Sequence, residues 1–149
     1  MTADLTASQE DYLEAIKELI DEGDHGHAHT SDIARRLGVK MPSVTTALGV
    51  LRRAGLLNYD TSRPVTLTES GEREALRVIR RHRVLAWFFQ GVLGVDEALA
   101  STTACRVEHV IDDVVVDRLE ALTEAWGELP LNAPLRARVA GTRKTEKEA

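Results

Sequence analysis

The stretch from residue 30 to residue 67 constrains the fold more than any other part of this 149-residue sequence. Thr30 or Ser31 can cap a short helix over 32–37, and Gly38 ends it, because glycine enters the left-handed conformation without steric cost. A three-residue turn follows, Gly38-Val39-Lys40. Pro42 then marks the start of a helix to about residue 54, since proline's missing N–H is not needed in a first helical turn. Two β-prone runs come next, Leu56-Leu57-Asn58-Tyr59 and Val65-Thr66-Leu67, and the turn-forming Asp60-Thr61-Ser62-Arg63-Pro64 between them predicts a hairpin. Short helix, tight turn, helix and hairpin in that order predict a winged helix-turn-helix. In that arrangement the second helix enters the DNA major groove and the first braces it.

The flanking segments are helical. Ser8 can cap a helix over 8–22 whose Tyr12, Leu13, Ile16, Leu19 and Ile20 form one apolar stripe, with Asp11, Glu14 and Glu18 on the opposite face. The polar loop Asp-Glu-Gly-Asp-His-Gly-His-Ala-His at 21–29 follows. Thr68 and Glu69 open a long helix to about residue 90, which Gly91 and Gly94 break. A helix over 96–100 leads into one over 102–125. The pattern then fades: Pro130 and Pro134 interrupt it, and the end reads as disordered. The expected fold is mainly α: a winged helix-turn-helix over 1–70, a helical domain over 71–128, and a partly disordered tail over 129–149.

Composition removes several function classes. Hydrophobic residues at 43% and charged residues at 29% fit a globular chain with a real core. No apolar run approaches the roughly 20 residues needed to span a bilayer, so no membrane partner is expected. The first residues have neither the basic nor the apolar stretch of a secretory signal. One cysteine, Cys105, excludes an internal disulfide and fits the reducing cytoplasm. The net charge of −5 hides an asymmetry: residues 1–24 carry eight acids against Lys17, whereas residues 31–68 carry six cations against two acids. A basic face on an acidic chain can meet phosphate, because the field of the contacting face is what matters.

Within that basic block the helix after the turn presents Pro42, Ser43, Thr45 and Thr46 at its N-terminal end, suited to base edges and phosphates. Arg35 and Lys40 flank it, and Arg63 sits at the wing tip. These residues are the expected contacts to double-stranded DNA. A winged helix also serves as a protein-interaction module, and a metal-independent regulator of that kind is the alternative.

The most specific chemical signal is Cys105-Arg-Val-Glu108-His109. On a helix, positions three and four apart share a face, so a thiolate, a carboxylate and an imidazole would converge there. Such groups bind divalent first-row metals. A buried cysteine beside an exposed Glu-His pair would account for the same letters. Asp11 and Glu14, opposite the apolar stripe of the first helix, and His82, in the long helix, are further candidate donors. A metalloenzyme using these ligands is disfavoured by the lack of HExxH, a phosphate loop or a general base among them. His25, His27 and His29 alternate in the polar loop and would share one side if extended.

SQEDYLEAIKEL, SDIARRLGVKMPSVTTAL, TESGEREALRVIRRHRVLAWFF and ACRVEHVIDD together resemble the diphtheria-toxin-repressor and manganese-transport-regulator family of metal-dependent repressors, over residues 6–125. The resemblance implies a principal metal site of Asp11, Cys105, Glu108 and His109, with Glu14 and His82 completing it as in manganese-responsive members. Asp11 is the manganese-type residue, and Cys105 the iron-type one. Ala86 and Ser101 stand where iron-responsive members place Glu and His in an ancillary site. Three carboxylates favour Mn²⁺, and the thiolate brings Fe²⁺ second. The resemblance further implies a homodimer on a palindromic operator of metal-uptake and homeostasis genes. Val110, Ile111, Val114, Val115 and Leu119 are natural dimer contacts, and no added C-terminal domain like that of larger iron-responsive relatives is expected.

Overall fold

A computed structural model describes residues 5–60, 62–129 and 132–141. Its elements are α1 (Ala7–Glu22), α2 (Thr30–Leu37), α3 (Met41–Arg53), β1 (Leu57–Asp60), β2 (Arg63–Leu67), α4 (Glu69–Gly91), α5 (Glu97–Val107), α6 (Asp113–Glu128) and α7 (Asn132–Gly141). The chain is mainly α, and a winged helix-turn-helix precedes a helical domain. Its contacts divide it into two units, 1–79 and 80–149, with the boundary inside α4.

In the first unit α1 is capped by Thr6 rather than Ser8. The Thr6 Oγ1 accepts from the Gln9 N–H at 3.3 Å and the Gln9 Oε1 from the Thr6 N–H at 2.9 Å, a reciprocal capping box. Helix α2 likewise starts two positions before the expected 32, at Thr30, and His29 occupies the cap position without a side-chain bond. Gly38 ends α2 with φ 65°, and Pro42 lies in the first turn of α3. Leu13 and Ile16 of α1, Ile33 of α2, Val44, Leu48 and Leu51 of α3, and Val65 of β2 are fully buried in one cluster. Burying such a side chain stabilises by about 1.5–3 kcal/mol, so the apolar stripes tie the helices to the wing. The wing pairs Leu57 with Leu67 and Asn58 with Thr66, and an irregularity separates Asn58 from Asp60. At its tip the Asp60 carboxylate accepts from the Ser62 N–H and hydroxyl, both at 3.0 Å, which holds Asp60 below the usual carboxylate range.

Thr68 joins wing to α4: its Oγ1 donates to the Gly55 carbonyl at 2.7 Å and accepts from the Gly71 N–H at 3.1 Å. Gly71 lies against the Leu56 backbone so closely that a Cβ would fall 1.9 Å from the Leu56 carbonyl oxygen.

In the second unit Val84 and Leu85 of the later α4, Val92 in the turn after it, Ala100 and Ala104 of α5, and Val116 and Thr123 of α6 are buried. Arg80 donates to Asp117 at 2.7 Å and Glu120 at 2.5 Å, fastening α4 to α6, and both acids hold its guanidinium charged. Two expectations are corrected here. The helix expected over 102–125 is interrupted: α5 already runs from Glu97 through 102, where the Thr102 hydroxyl returns to the Ala98 carbonyl at 2.8 Å, and stops at Val107. Residues 108–112 form a turn before α6. The tail expected from 129 onward contains α7, because Pro134 falls in a first helical turn, where proline is tolerated. The remainder of that expectation, at 130–131 and 142–149, lies outside the described residues.

Gly71→Ala forces the start of α4 off the Leu56 carbonyl. Urea denaturation should show a loss of at least about 1–3 kcal/mol, the usual cost of overpacking; an unchanged midpoint would contradict this contact.

Candidate metal centre and nucleic-acid interface

The second unit brings together four of the expected metal ligands. His82 comes from α4, Cys105 from the last turn of α5, and Glu108 and His109 from the turn after it. Glu108 is the C-cap of α5 and keeps a helical φ of −57° and ψ of −28°, so the expected spacing from Cys105 survives although the helix ends there. One donor atom each of His82, Cys105 and Glu108 lies within 4.8 Å of the others. His82 Nδ1 is 2.7 Å from Glu108 Oε2, and His109 Nε2 is 3.4 Å from Glu108 Oε1.

Glu108 decides the chemistry. Its side chain is 0% exposed, and Oε1 makes no hydrogen bond among the described residues. An ionised carboxylate is not stable in such a place unless it is paired or coordinates a metal. The neighbouring imidazoles supply positive charge only when protonated. A divalent cation fits the site better: the carboxylate, two imidazoles and a thiolate are all donors to first-row metals. Cys105 is exposed, so the site opens to solvent on the thiol side.

Arg81 is a site residue that the sequence reasoning missed. It is only 6% exposed; its Nε donates to Asp113 Oδ1 at 2.8 Å and its guanidinium reaches the Glu108 carbonyl at 3.5 Å. A buried cation thereby ties the start of α6 to the backbone that presents Glu108. The available signal was its position next to His82. Ala86 and Ser101 line an open pocket with His82, Trp87 and Glu97, and the Ser101 hydroxyl is 3.5 Å from His82 Nε2.

The remaining two expected ligands, Asp11 and Glu14, belong to the first unit. They lie three residues apart on α1, and both are half-buried. All seven expected DNA contacts are exposed in that unit: Arg35, Lys40, Pro42, Ser43, Thr45, Thr46 and Arg63. The Thr45 and Thr46 hydroxyls donate back to the Met41 and Pro42 carbonyls at 3.2 and 2.9 Å, which leaves their oxygens outward as acceptors. Met41, not anticipated, is 44% exposed at the start of α3. Arg36, also exposed, reaches across to α1 instead: it bonds Glu18 at 2.7 Å and also Glu22, so it braces α2 on α1.

Comparison with known proteins agrees with this layout. Residues 4–65 match the N-terminal DNA binding domain of iron dependent repressors, and residues 68–133 match their metal binding and dimerisation domain. The chain is 36% identical over 125 residues to the HTH-type transcriptional regulator MntR of Lysinibacillus sphaericus, an alignment covering 84% of this chain and 88% of that protein. The chain belongs to the iron-dependent repressor family. Within that family, an HTH-type transcriptional regulator of Methanocaldococcus jannaschii is 36% identical over 122 residues, covering 82% of this chain and 97% of the relative. A solved manganese-dependent transcriptional repressor in complex with manganese superposes with a TM-score of 0.70 at 31% identity. That match covers 78% of this chain and 52% of the other, so this repressor-family chain spans about half the length of that structure. The first unit therefore contains the family's DNA-binding domain, and the helices after the wing belong to its metal-binding and dimerisation domain. Among the described residues no helix is long and apolar enough to cross a membrane.

Glu108→Gln keeps the shape of the buried group and removes its charge. Without metal the variant should unfold at the same denaturant concentration as the parent or a higher one. Metal at about 100 times Kd should stabilise the parent by about 2.7 kcal/mol and leave Glu108→Gln unmoved. Equal stabilisation of both proteins would remove Glu108 from the site.

Proposed function

We propose that this chain is a metal-responsive repressor that binds palindromic operator DNA as a homodimer once loaded with a divalent ion, Mn²⁺ first and Fe²⁺ second. It thereby controls genes of metal uptake and homeostasis. The observation that carries this reading is the buried Glu108 carboxylate, flanked by His82 and His109 with Cys105 within reach. The proposed ligands are those four together with Asp11 and Glu14, the last two assigned on the family pattern. A bound ion would supply the positive charge that the Glu108 carboxylate lacks and replace the protons of the thiol and imidazoles.

The protein's own residues do the rest. Arg81 holds the turn that presents Glu108 and His109. Lys40 and Arg63 attract phosphate, while Ser43, Thr45 and Thr46 offer hydroxyls to base edges and backbone. Val110 at 82% exposure, Val114 at 62%, Val115 at 43% and Leu122 at 48% supply apolar surface for a second copy. A two-fold dimer reads two half-sites related by the same symmetry, hence the palindrome. Manganese and iron also appear in the descriptions of the relatives, which supports both ions.

The test is fluorescence anisotropy on DNA selected from a random duplex library by the Mn²⁺-loaded chain. Mn²⁺, or Fe²⁺ without oxygen, should tighten binding by about 5–150-fold over chelator. Glu108→Ala and His109→Ala should abolish that gain while circular dichroism stays unchanged. Binding that ignores both metal and chelator would instead mark a metal-independent winged-helix regulator. Because protons compete for the thiol and imidazoles, the metal-dependent gain should shrink as pH falls. Lys40→Ala or Arg63→Ala should weaken binding to every sequence and reduce the salt slope by about 1.

A further inference from the structure

The function proposed above does not account for a pocket on the wing, which lies wholly within the first unit. It is open to solvent and has a volume of about 500 Å³. That is within the range of about 300–1,000 Å³ typical of small-ligand sites, and more than a bare inorganic ion needs. Arg52 comes from the last turn of α3, Tyr59 and Asp60 from β1, Arg63 and Pro64 from β2, and His27 from the loop before α2.

Local structure fixes these walls. The Ala28 N–H donates to the Val65 carbonyl at 2.9 Å and its carbonyl accepts from the Val65 N–H at 2.8 Å, which ties the loop to the wing. His27 Nδ1 lies 3.0 Å from the His25 carbonyl oxygen, a contact that orients the ring. Between the pairs Asn58–Thr66 and Asp60–Arg63, Tyr59 of β1 stands opposite both Pro64 and Val65 of β2. Such a bulge re-aims side chains, and proline is tolerated there because no ladder N–H is required of it. Tyr59 packs partly on the core cluster and lines the pocket with the remainder.

The charge of the pocket selects its ligand. Arg52 and Arg63 are both exposed, and Asp60 is the acid beside them. The Ser62 N–H and hydroxyl both bond Asp60 Oδ1, and with the two arginine charges they keep the carboxylate ionised. Its Oδ2 can still accept from a ligand hydroxyl. Two guanidiniums from different elements suit a phosphate, which each can meet with paired N–H groups. A phenol ring offers a surface for stacking.

We propose that this pocket binds a nucleoside monophosphate, with the phosphate between Arg52 and Arg63, a sugar hydroxyl on Asp60 and the base against Tyr59. A phosphate of duplex DNA meets the arginines but brings neither a free sugar hydroxyl nor an unstacked base. Because Arg63 is also a proposed DNA contact, a bound nucleotide withdraws it from the operator; this consequence rests on the function proposed above.

The test uses the full chain without DNA and with chelator present, so it is independent of the Glu108 centre. Titration with AMP should move the Arg52 and Arg63 Nε–H resonances and those of the Tyr59 ring to saturation. Adenosine, which lacks the phosphate, and inorganic phosphate, which lacks sugar and base, should each bind at least about tenfold more weakly. Arg52→Gln should weaken AMP binding by a similar factor, whereas Arg53→Gln, at an exposed arginine of α3 outside the pocket, should leave it unchanged. AMP at ten times its Kd should then weaken duplex binding about tenfold. Unmoved resonances, inorganic phosphate binding as well as AMP, or equal losses in the two variants would overturn the nucleotide site. Duplex affinity indifferent to saturating AMP would overturn the competition.

Discussion

A carboxylate with no exposed surface sets the terms for the rest of the second unit. Glu108 is buried at the turn where α5 has ended at Val107, and the Arg81 guanidinium contacts its carbonyl. Had the helix continued to 125, Glu108 and His109 would have stood on a regular surface, their backbone groups satisfied by the next turn. Instead the break frees five residues to form the turn, and Arg81 reaches both the Glu108 carbonyl and the Asp113 carboxylate that opens α6. The cost of burying the carboxylate falls on the metal-free state alone, since a cation among these donors reverses its sign. A site arranged in this way resists being empty more than it resists a particular ion.

The distribution of charge follows a second rule, in which cations either brace the fold or face outward. Arg36 fastens α2 to α1 through two acids, and Arg80 fastens α4 to α6 through two others. Exposed pairs of this kind contribute little individually. Their use is geometric, because each connects two elements at a defined contact. Arg63 and Lys40 make no such ion pair among the described residues and stand beside α3 on the exposed side of the wing unit. An acidic chain thus keeps a cationic face where phosphate would lie.

The helix-turn-helix and wing were legible because their signals are local. Gly38 needs its positive φ, Pro42 needs a first turn, and the stripe on α1 repeats at helical spacing. The cap of α1 lies two residues before Ser8, at Thr6, which has Gln9 as a reciprocal partner. The break at 108–112 was not legible: the apolar pattern of Val107, Ile111 and Val115 runs straight through it, and the Arg81 contact to the Glu108 carbonyl comes from far away in sequence. Cys105, Glu108 and His109 could be grouped from spacing alone, since Glu108 retains helical angles. His82, 26 residues before Glu108, could not. It was a candidate donor by residue type, but its joining to that group came only through the family resemblance, as did that of Asp11 and Glu14.

Ion preference then turns on which donors a given ion can use. The four candidate donors of the second unit are two nitrogens, a sulfur and a carboxylate, a set whose affinity would rise along the Irving–Williams order toward Zn²⁺ and Cu²⁺. On these alone Mn²⁺ would lose to almost any competitor. The proposed oxygen donors, Asp11 and Glu14, are what make the complete set hard enough for Mn²⁺. Selectivity and response therefore share one physical origin. In the proposed set an ion satisfied by nitrogen and sulfur would fill half the donors, whereas an oxygen-seeking ion would gain most of its binding energy only with the carboxylates of α1. Replacing Asp11 or Glu14 thus bears on the choice of metal, while replacing Cys105 bears on how strongly the site discriminates against the softer ions.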